Sequence, residues 1–401
     1  MVSFSSVAVI AVVALLAPLT VAFTGLRLPA IVVEILLGIV VGPQVLGWAS
    51  NDEPVQVLSL IGLAFLLLLA GLEIDFNRLR GRLLRLTGLG YAVSFGLALV
   101  VGYGLRAGDL VRSPLLVAII LSATGLGIIL PILKDAHETS TPFGQVVVAG
   151  ASIAEVGPIV LLSLFFSGES SGVGAKVVLL GGFVALVAAI GVSILGAQRS
   201  MRLTAALVRL QDTTAQIRVR GAFLLLVVFV VLADQFGLEA ILGAFVAGAV
   251  LKLVDRDRAM THPQFHRKLE AAGFGVFVPF FFVTSGLKFD LNALFTSAGT
   301  VARVPLFLTA LLAARGLPAL LYRRVVNGDE VVAAGLLQAT SLGFFVVAGQ
   351  IGMQLGLLSA ANGAALVAAG LLSVLLFPVT ALAILRRRDA PVHAPAAARL
   401  G

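Results

Sequence analysis

The stretch GASIAEVGPIVLL, residues 150–162, carries one acid, Glu155, near the centre of an apolar run from Phe143 to Gly168 that is long enough to cross a bilayer. A charge at that depth costs about 2.5–3.5 kcal/mol on insertion scales, so it must face a cavity or a partner. Its chemistry is reversible binding. Burial favours the protonated form of a carboxylate and a nearby cation favours the ionised form, so H+ and a metal ion can compete for one such group near neutral pH. The plainer reading is a protonated Glu155 hydrogen-bonded to a neighbouring helix. A second group of polar residues lies in two other apolar segments. LSATGLGIILPILK places Ser122, Thr124, Gly125, Gly127 and Pro131 in mid-segment, and LQATSLGFFVVAGQ repeats the pattern with Gln338, Thr340, Ser341 and Gly343. Gly gives no side chain to hold a helix, Pro removes a backbone donor, and Ser or Thr can satisfy the groups that a break frees. Both segments are therefore expected to unwind near the midplane. Their carbonyls, hydroxyls and half-helix ends would then form a polar spot suited to a small ion. Close helix packing by small residues is the alternative for either segment alone; recurrence at equivalent positions favours the break.

The remaining intramembrane charges are few. Arg315 is the one basic residue well inside a span, and it is read as an ion-pair partner for the buried acid or as a side chain snorkelling to the nearby face. Glu34 lies about a third of the way into its helix and either lines a cavity or holds a helix contact. Ser122 and Gln338 are further cavity-lining candidates. Glu73, Asp75, Lys288 and Asp290, with Asp234 and Glu239, fall at helix ends and are read as structural or interfacial.

The elements that must position these groups follow from composition. Of 401 residues, 59% are hydrophobic and 12% charged, and the mean hydropathy is +1.09. That is more apolar surface than a soluble core can hide, so the chain is an all-α polytopic membrane protein. Candidate spans are 6–24, 28–47, 56–75, 86–105, 114–133, 143–167, 175–197, 217–234, 237–253, 272–289, 299–322, 331–353 and 359–385, thirteen in all. The net charge of +8 reflects short basic clusters between apolar blocks rather than a nucleic-acid-binding face. With this numbering, 22 of the 28 basic residues fall in alternate loops and the C-terminal tail, from Arg27 through Arg78, Arg80, Arg199, Arg202, Arg256 and Arg258 to Arg399. The positive-inside rule then places the N-terminus outside and the C-terminus in the cytoplasm. There is no Cys, and His137, His262, His266 and His393 lie in loops or the tail. A thiolate site is therefore excluded and a His-built metal site is not expected, nor is enzymatic chemistry or a cofactor.

Three motif pairs recur seven helices apart: LSATGLG with LQATSLG, AGLEID (70–75) with SGLKFD (285–290), and EILLGIVVG (34–42) with EAILGAFVAG (239–248). An odd displacement inverts the second copy. The expected architecture is repeat one over about 6–167, a linker helix over about 175–197 and repeat two over about 217–385. The transmembrane domain covers 1–388, with a short cytoplasmic tail over 389–401. Inverted repeats with crossed broken helices are the build of secondary transporters, which hold their substrate at the midplane.

On LPAIVVEILLGIVVGPQVLG (28–47), GLAFLLLLAGLEID (62–75), SATGLGIILPILKD (122–135) and GAFVAG (243–248), the chain resembles the membrane domain of the monovalent cation:proton antiporters, the branch of bacterial sodium/proton exchangers and potassium efflux systems. The resemblance implies exchange of Na+ or K+ for H+ by alternating access in the inner membrane, and a homodimer. Glu155 would be the cation- and proton-binding acid, Arg315 its basic partner, and Thr124, Thr340 and Ser341 part of the crossover. The family's acid or amide before that carboxylate is Ala154 here, so one titrating group swaps one H+ for one monovalent cation and the exchange is expected to be electroneutral. No C-terminal nucleotide-binding domain is expected. The alternatives are a sodium-coupled symporter for an organic anion and a non-transporting sensor or scaffold on the same fold.

Overall fold

The computed structural model describes residues 4–24, 29–73, 81–166, 173–198, 209–210, 213–254 and 264–389. Among the residues singled out above, Arg27, Asp75, Arg78, Arg80, Arg199, Arg202, Arg256, Arg258, His262, His393 and Arg399 lie outside these ranges. The described residues form helices and no strand. Among the described residues, nine helices are long and apolar enough to cross a membrane, joined by three shorter apolar ones at Ala30–Val41, Pro114–Leu130 and Ala240–Leu253. We label the elements α1 (Ser5–Thr24), α2 (Ala30–Val41), α3 (Glu53–Glu73), α4 (Gly81–Ala107), α5 (Pro114–Leu121), α6 (Leu126–Asp135), α7 (Pro142–Phe166), α8 (Val173–Gln198), α9 (Ile217–Gln235), α10 (Ala240–Val254), α11 (264–287), α12 (Leu291–Phe295), α13 (Ala298–Arg324), α14 (Gly328–Gln338), α15 (Gly343–Gln354) and α16 (Ala360–Asp389).

The two expected breaks are present and fall inside the repeated motifs. The chain leaves helix after Leu121 and re-enters it at Leu126, and it does the same between Gln338 and Gly343. The two gaps cross, because the Gly125 N–H donates to the Thr340 carbonyl at 2.9 Å. Two other helices are locally underwound in front of a proline. Gly273–Phe277 in α11 and Leu312–Gly316 in α13 wind as π-helix, and each is followed two residues later by Pro279 or Pro318, which lacks the N–H needed to continue the ladder.

Packing sorts the helices into two bundles. α1, α2, α3, α9, α10 and α11 pack on one another, and α4 to α7 pack with α13 to α16. Each bundle therefore takes helices from both repeats. α8 touches α7, α9 and α10 and bridges the two, while α3–α6 and α7–α10 contacts are where the bundles meet. The first bundle is held by two Gly–Gly crossings at equivalent places of the repeats. A Cβ on Gly71 would stand 2.1 Å from the Phe245 carbonyl oxygen, and one on Gly248 would stand 2.0 Å from that of Leu68. At the α2–α11 crossing a Cβ on Gly38 would reach 2.3 Å from the Val283 oxygen, and one on Gly286 would reach 2.2 Å from that of Ile35. Gly71 of AGLEID and Gly286 of SGLKFD thus do the same job, which explains why that glycine recurs. Small residues at such crossings let backbones approach and gain dispersion energy that lipid does not supply.

Replacing Gly71 or Gly286 by Val should force the paired helices apart and cost about 1–3 kcal/mol or more, by analogy with overpacked cores. Gly181→Ala, where a Cβ meets nothing within 4 Å, should be neutral. Melting temperatures of the purified proteins in detergent check both expectations.

Candidate functional site

Glu155 stands on α7 where the two bundles face each other. Its Oε2 accepts the Leu126 N–H at 2.9 Å, the first amide of the half-helix α6. Free amides and the positive end of the helix dipole make that position favourable for a carboxylate. The same stretch of α7 serves the crossover through its backbone. Pro158 has no N–H to offer the Ala154 carbonyl one turn back, and that carbonyl accepts the Thr124 N–H at 3.2 Å instead. The Glu155 side chain and the Ala154 carbonyl thus fix α7 against the first break by two different bonds.

A pocket opens in front of Glu155. Its wall is mostly apolar, with residues from both bundles: Ile31, Leu66, Leu69, Ala70, Ile241 and Phe282 from one, Gly127, Ile128, Gly343, Phe344 and Val347 from the other. Pro131 cannot donate to the Gly127 carbonyl, so a pocket-lining residue keeps a backbone oxygen without its i+4 donor. Two further lining residues are Glu73, at the C-terminal end of α3, and Phe274, in the π-helical turn of α11.

Glu73 is the residue that sequence reasoning misplaced. Its position at a helix end suggested an interfacial role, yet it lines the pocket with Glu155, and its Oε2 is buried without a hydrogen-bond partner. A Cβ on Gly127 would stand 3.7 Å from that oxygen, so the carboxylate faces the start of α6. Lys134, Lys252 and Glu270 are the other charged groups whose fields it feels. Its recurrence partner Lys288 is exposed, so the repeat gave no hint of the role. The available signal was an acid two residues past a Gly crossing.

Behind the crossover lies a separate polar network centred on Arg315, which is 1% exposed. Its Nε donates to Thr124 Oγ1 at 2.8 Å and its Nη2 to Gln338 Oε1 at 3.0 Å. Thr124 Oγ1 donates in turn to the Gln338 carbonyl, and Gln338 Nε2 donates to the Tyr322 hydroxyl at 2.9 Å. Arg315 lies in the π-helical turn at Leu312–Gly316. The expected pairing of Arg315 with Glu155 does not form. The cation instead joins the two broken helices near the C-terminal ends of α5 and α14, where the dipoles favour positive charge. Snorkelling is likewise ruled out by its burial.

The other expected site residues are placed as follows. The Ser122 hydroxyl donates to the Ile119 carbonyl at 2.9 Å and lies 3.3 Å from the Tyr91 hydroxyl. The Thr340 hydroxyl donates back to Leu336 at 3.1 Å, while its carbonyl takes the crossover bond. Ser341 is fully buried with its hydroxyl unpartnered, and its backbone is clasped by Ser373, whose hydroxyl lies 3.2 Å from its N–H and 3.1 Å from its carbonyl. Glu34 is buried in α2 and does not line the pocket; its Oε2 has no partner. Of the expected set, the pocket therefore receives Glu155 alone, while Thr124, Gln338 and Arg315 brace the crossover behind it.

A buried acid at a half-helix end, in a pocket between two bundles built from inverted repeats, is the site of a secondary transporter. The sequence comparison names the class more closely: the chain belongs to the sodium/hydrogen exchanger transmembrane family, whose profile matches residues 11–387. It is 29% identical over 406 residues to YjbQ of Bacillus subtilis, described as a candidate Na+/H+ antiporter, covering 97% of this chain and 64% of that one. The chain thus spans about two thirds of that longer relative. It is 28% identical over 273 residues to the Na+/H+-K+ antiporter GerN of Bacillus cereus, covering 66% of this chain and 67% of that one. Among solved structures, the sodium proton antiporter MjNhaP1 from Methanocaldococcus jannaschii at pH 8 superposes with a TM-score of 0.69 at 18% identity, over 95% of this chain and 98% of that chain. At that identity the likeness speaks for the fold.

Arg315→Met would strip Thr124 and Gln338 of a charged donor in a buried place, at about 1–3 kcal/mol for each group left bare. Tyr322→Phe, which removes one neutral acceptor, should cost about 1 kcal/mol. Denaturation of both variants in detergent should rank them in that order.

Proposed function

We propose that the chain is the transporting domain of an antiporter that exchanges Na+ or K+ for H+ by alternating access. The observation that carries the reading is Glu155, a carboxylate held at the N-terminus of α6 in a pocket between two bundles. A protonated Glu155 offers no charge to a cation and an ionised one does, so the two substrates exclude each other at one atom. Movement of one bundle against the other would carry that atom between the two membrane faces. The names of the relatives, Na+/H+ and Na+/H+-K+ antiporters, support both ions and leave the choice to experiment.

The site offers a small cation oxygens from three residues: the Glu155 carboxylate, the Glu73 carboxylate from the other bundle and the Gly127 backbone. Glu73 belongs to the bundle that Glu155 is not part of, so it does not travel with it. The count therefore stays at one titrating acid, since Ala154 adds none, and the exchange is electroneutral. A symporter for an organic anion needs a fixed cation at the substrate, and Arg315 is committed to Thr124 and Gln338 behind the pocket. The alternation of basic residues supports an N-terminus outside and a C-terminus in the cytoplasm; the inner membrane and the homodimer rest on the family resemblance alone.

Proteoliposomes with an internal pH dye should show proton flux on addition of Na+ or K+. Glu155→Gln should abolish it, and unaltered flux in that variant sinks the assignment. Glu73→Gln should retain exchange with a raised half-saturating cation concentration. A membrane-potential dye should register no net charge movement in the wild type. As pH falls through the titration of Glu155, the proton displaces the cation, so the half-saturating cation concentration should rise by up to about tenfold per pH unit.

A further inference from the structure

Three guanidinium groups gather at one end of the bundle that carries Glu155. Arg106 is in the last turn of α4, Arg112 in the segment before α5 and Arg303 in the first half of α13, which packs on α4. Two runs of hydrogen bonds converge on the segment that leads into α5. Arg106 donates to the Arg112 carbonyl, and Arg112 Nη1 to that of Gly356 at 3.2 Å. Arg303 Nη1 donates to Asn362 Oδ1 at 2.7 Å, and Asn362 Nδ2 donates to the Leu110 carbonyl. Every one of these acceptors is a neutral oxygen. None of the three arginines is ion-paired to a described carboxylate, Asp109 in the same turn included. The Arg303 Nε–H is buried and has no acceptor at all.

Topology does not explain the cluster. Only Arg106, Arg112, Lys176, Lys288 and Arg303 belong to the loops and helix ends that the charge alternation assigns to the outer face, and three of these five meet here. Apolar side chains lead up to them along the membrane-facing surfaces of the same helices. Val100 and Tyr103 on α4 are 70% and 62% exposed, and Val301 and Leu306 on α13 are exposed as well. Uncompensated guanidinium groups above two apolar tracks match an amphiphile whose anionic phosphate sits at the membrane surface.

We propose that Arg106, Arg112 and Arg303 form a binding site for the phosphodiester headgroup of an anionic phospholipid, with its acyl chains lying along Val100 and Tyr103 of α4 and Val301 and Leu306 of α13. The anionic class is selected because a zwitterionic headgroup brings its own cation to a place that already holds three. A free phosphate would use the same donors but not the apolar tracks. The site is independent of the exchange reaction and lies on the bundle that carries Glu155, so the bound lipid would ride on that bundle.

The test uses the purified full chain, stripped of lipid in mild detergent and titrated in separate arms with phosphatidylglycerol, phosphatidylcholine and inorganic phosphate. Native mass spectrometry and melting temperature are the readouts. Phosphatidylglycerol should be retained and should raise the melting temperature by about 3 °C, with little effect from the other two. Arg106→Gln and Arg112→Gln remove exposed side chains and should each weaken retention about fivefold. Arg303→Lys, which keeps the charge at the cluster, should weaken it less than Arg303→Gln. Arg323→Gln, on the opposite membrane face, should change nothing. Equal retention of the two lipids, a shift reproduced by inorganic phosphate, or unchanged phosphatidylglycerol retention in the Arg106→Gln, Arg112→Gln double variant would each overturn the proposal.

Discussion

The hydrogen bond from the Gly125 N–H to the Thr340 carbonyl joins two helices that stop inside the bilayer, and the rest of the site depends on it. Hydrocarbon cannot solvate the amides and carbonyls that a break frees, so each break must be answered within the protein. The two gaps answer each other first, and the remaining groups are met by chemistry of matching sign. Arg315 stands at the C-terminal ends of α5 and α14, and Glu155 stands at the N-terminal end of α6. The acid and the base are thus kept apart by helix polarity rather than drawn together as an ion pair. That separation leaves the Glu155 carboxylate facing the pocket with a single amide partner, where a mobile cation or proton can reach it.

The bundles supply the second constraint. Gly–Gly crossings weld α3 to α10 and α2 to α11, whereas the contacts between bundles are confined to a few helices around the pocket. A rigid frame on one side and the crossover on the other give the pocket two walls that belong to different bodies. Glu73 ends the wall on the frame side, and Glu155 stands on the crossover side.

Much of this was legible in the sequence because membrane constraints are severe. The breaks were visible as Gly, Ser and Thr in the middle of apolar segments, and both motifs broke where their repetition indicated. Glu155 was visible because an acid at that depth has few structural explanations. What could not be read were the relations across helices. Inverted repeats suggested two six-helix halves as the units, but packing mixes them, since a repeat pattern records ancestry along the chain and not which faces meet. Arg315 was assigned to the nearest buried acid on the ground of charge, whereas two helix C-termini and two side-chain oxygens together outbid a single carboxylate. The hydroxyls of Thr124 and Thr340 looked like ion ligands because their composition permits it; backbone acceptors one turn or one helix away claimed them first.

Ala154 shows how one position can be uninformative by side chain and decisive by backbone. Its side chain is fully buried, and consecutive helix residues point about 100° apart, so the methyl group faces protein while Glu155 faces the pocket. An acid at 154 would therefore need a polar partner inside the crossover, which is already filled by Arg315, Thr124 and Gln338. The carbonyl of the same residue, released by Pro158, receives the Thr124 amide and pins α7 to the break. A second carboxylate does reach the pocket, but Glu73 brings it from the opposite bundle. The acid missing from the helix of Glu155 is thus met across the interface by one whose distance from Glu155 must change whenever the bundles move.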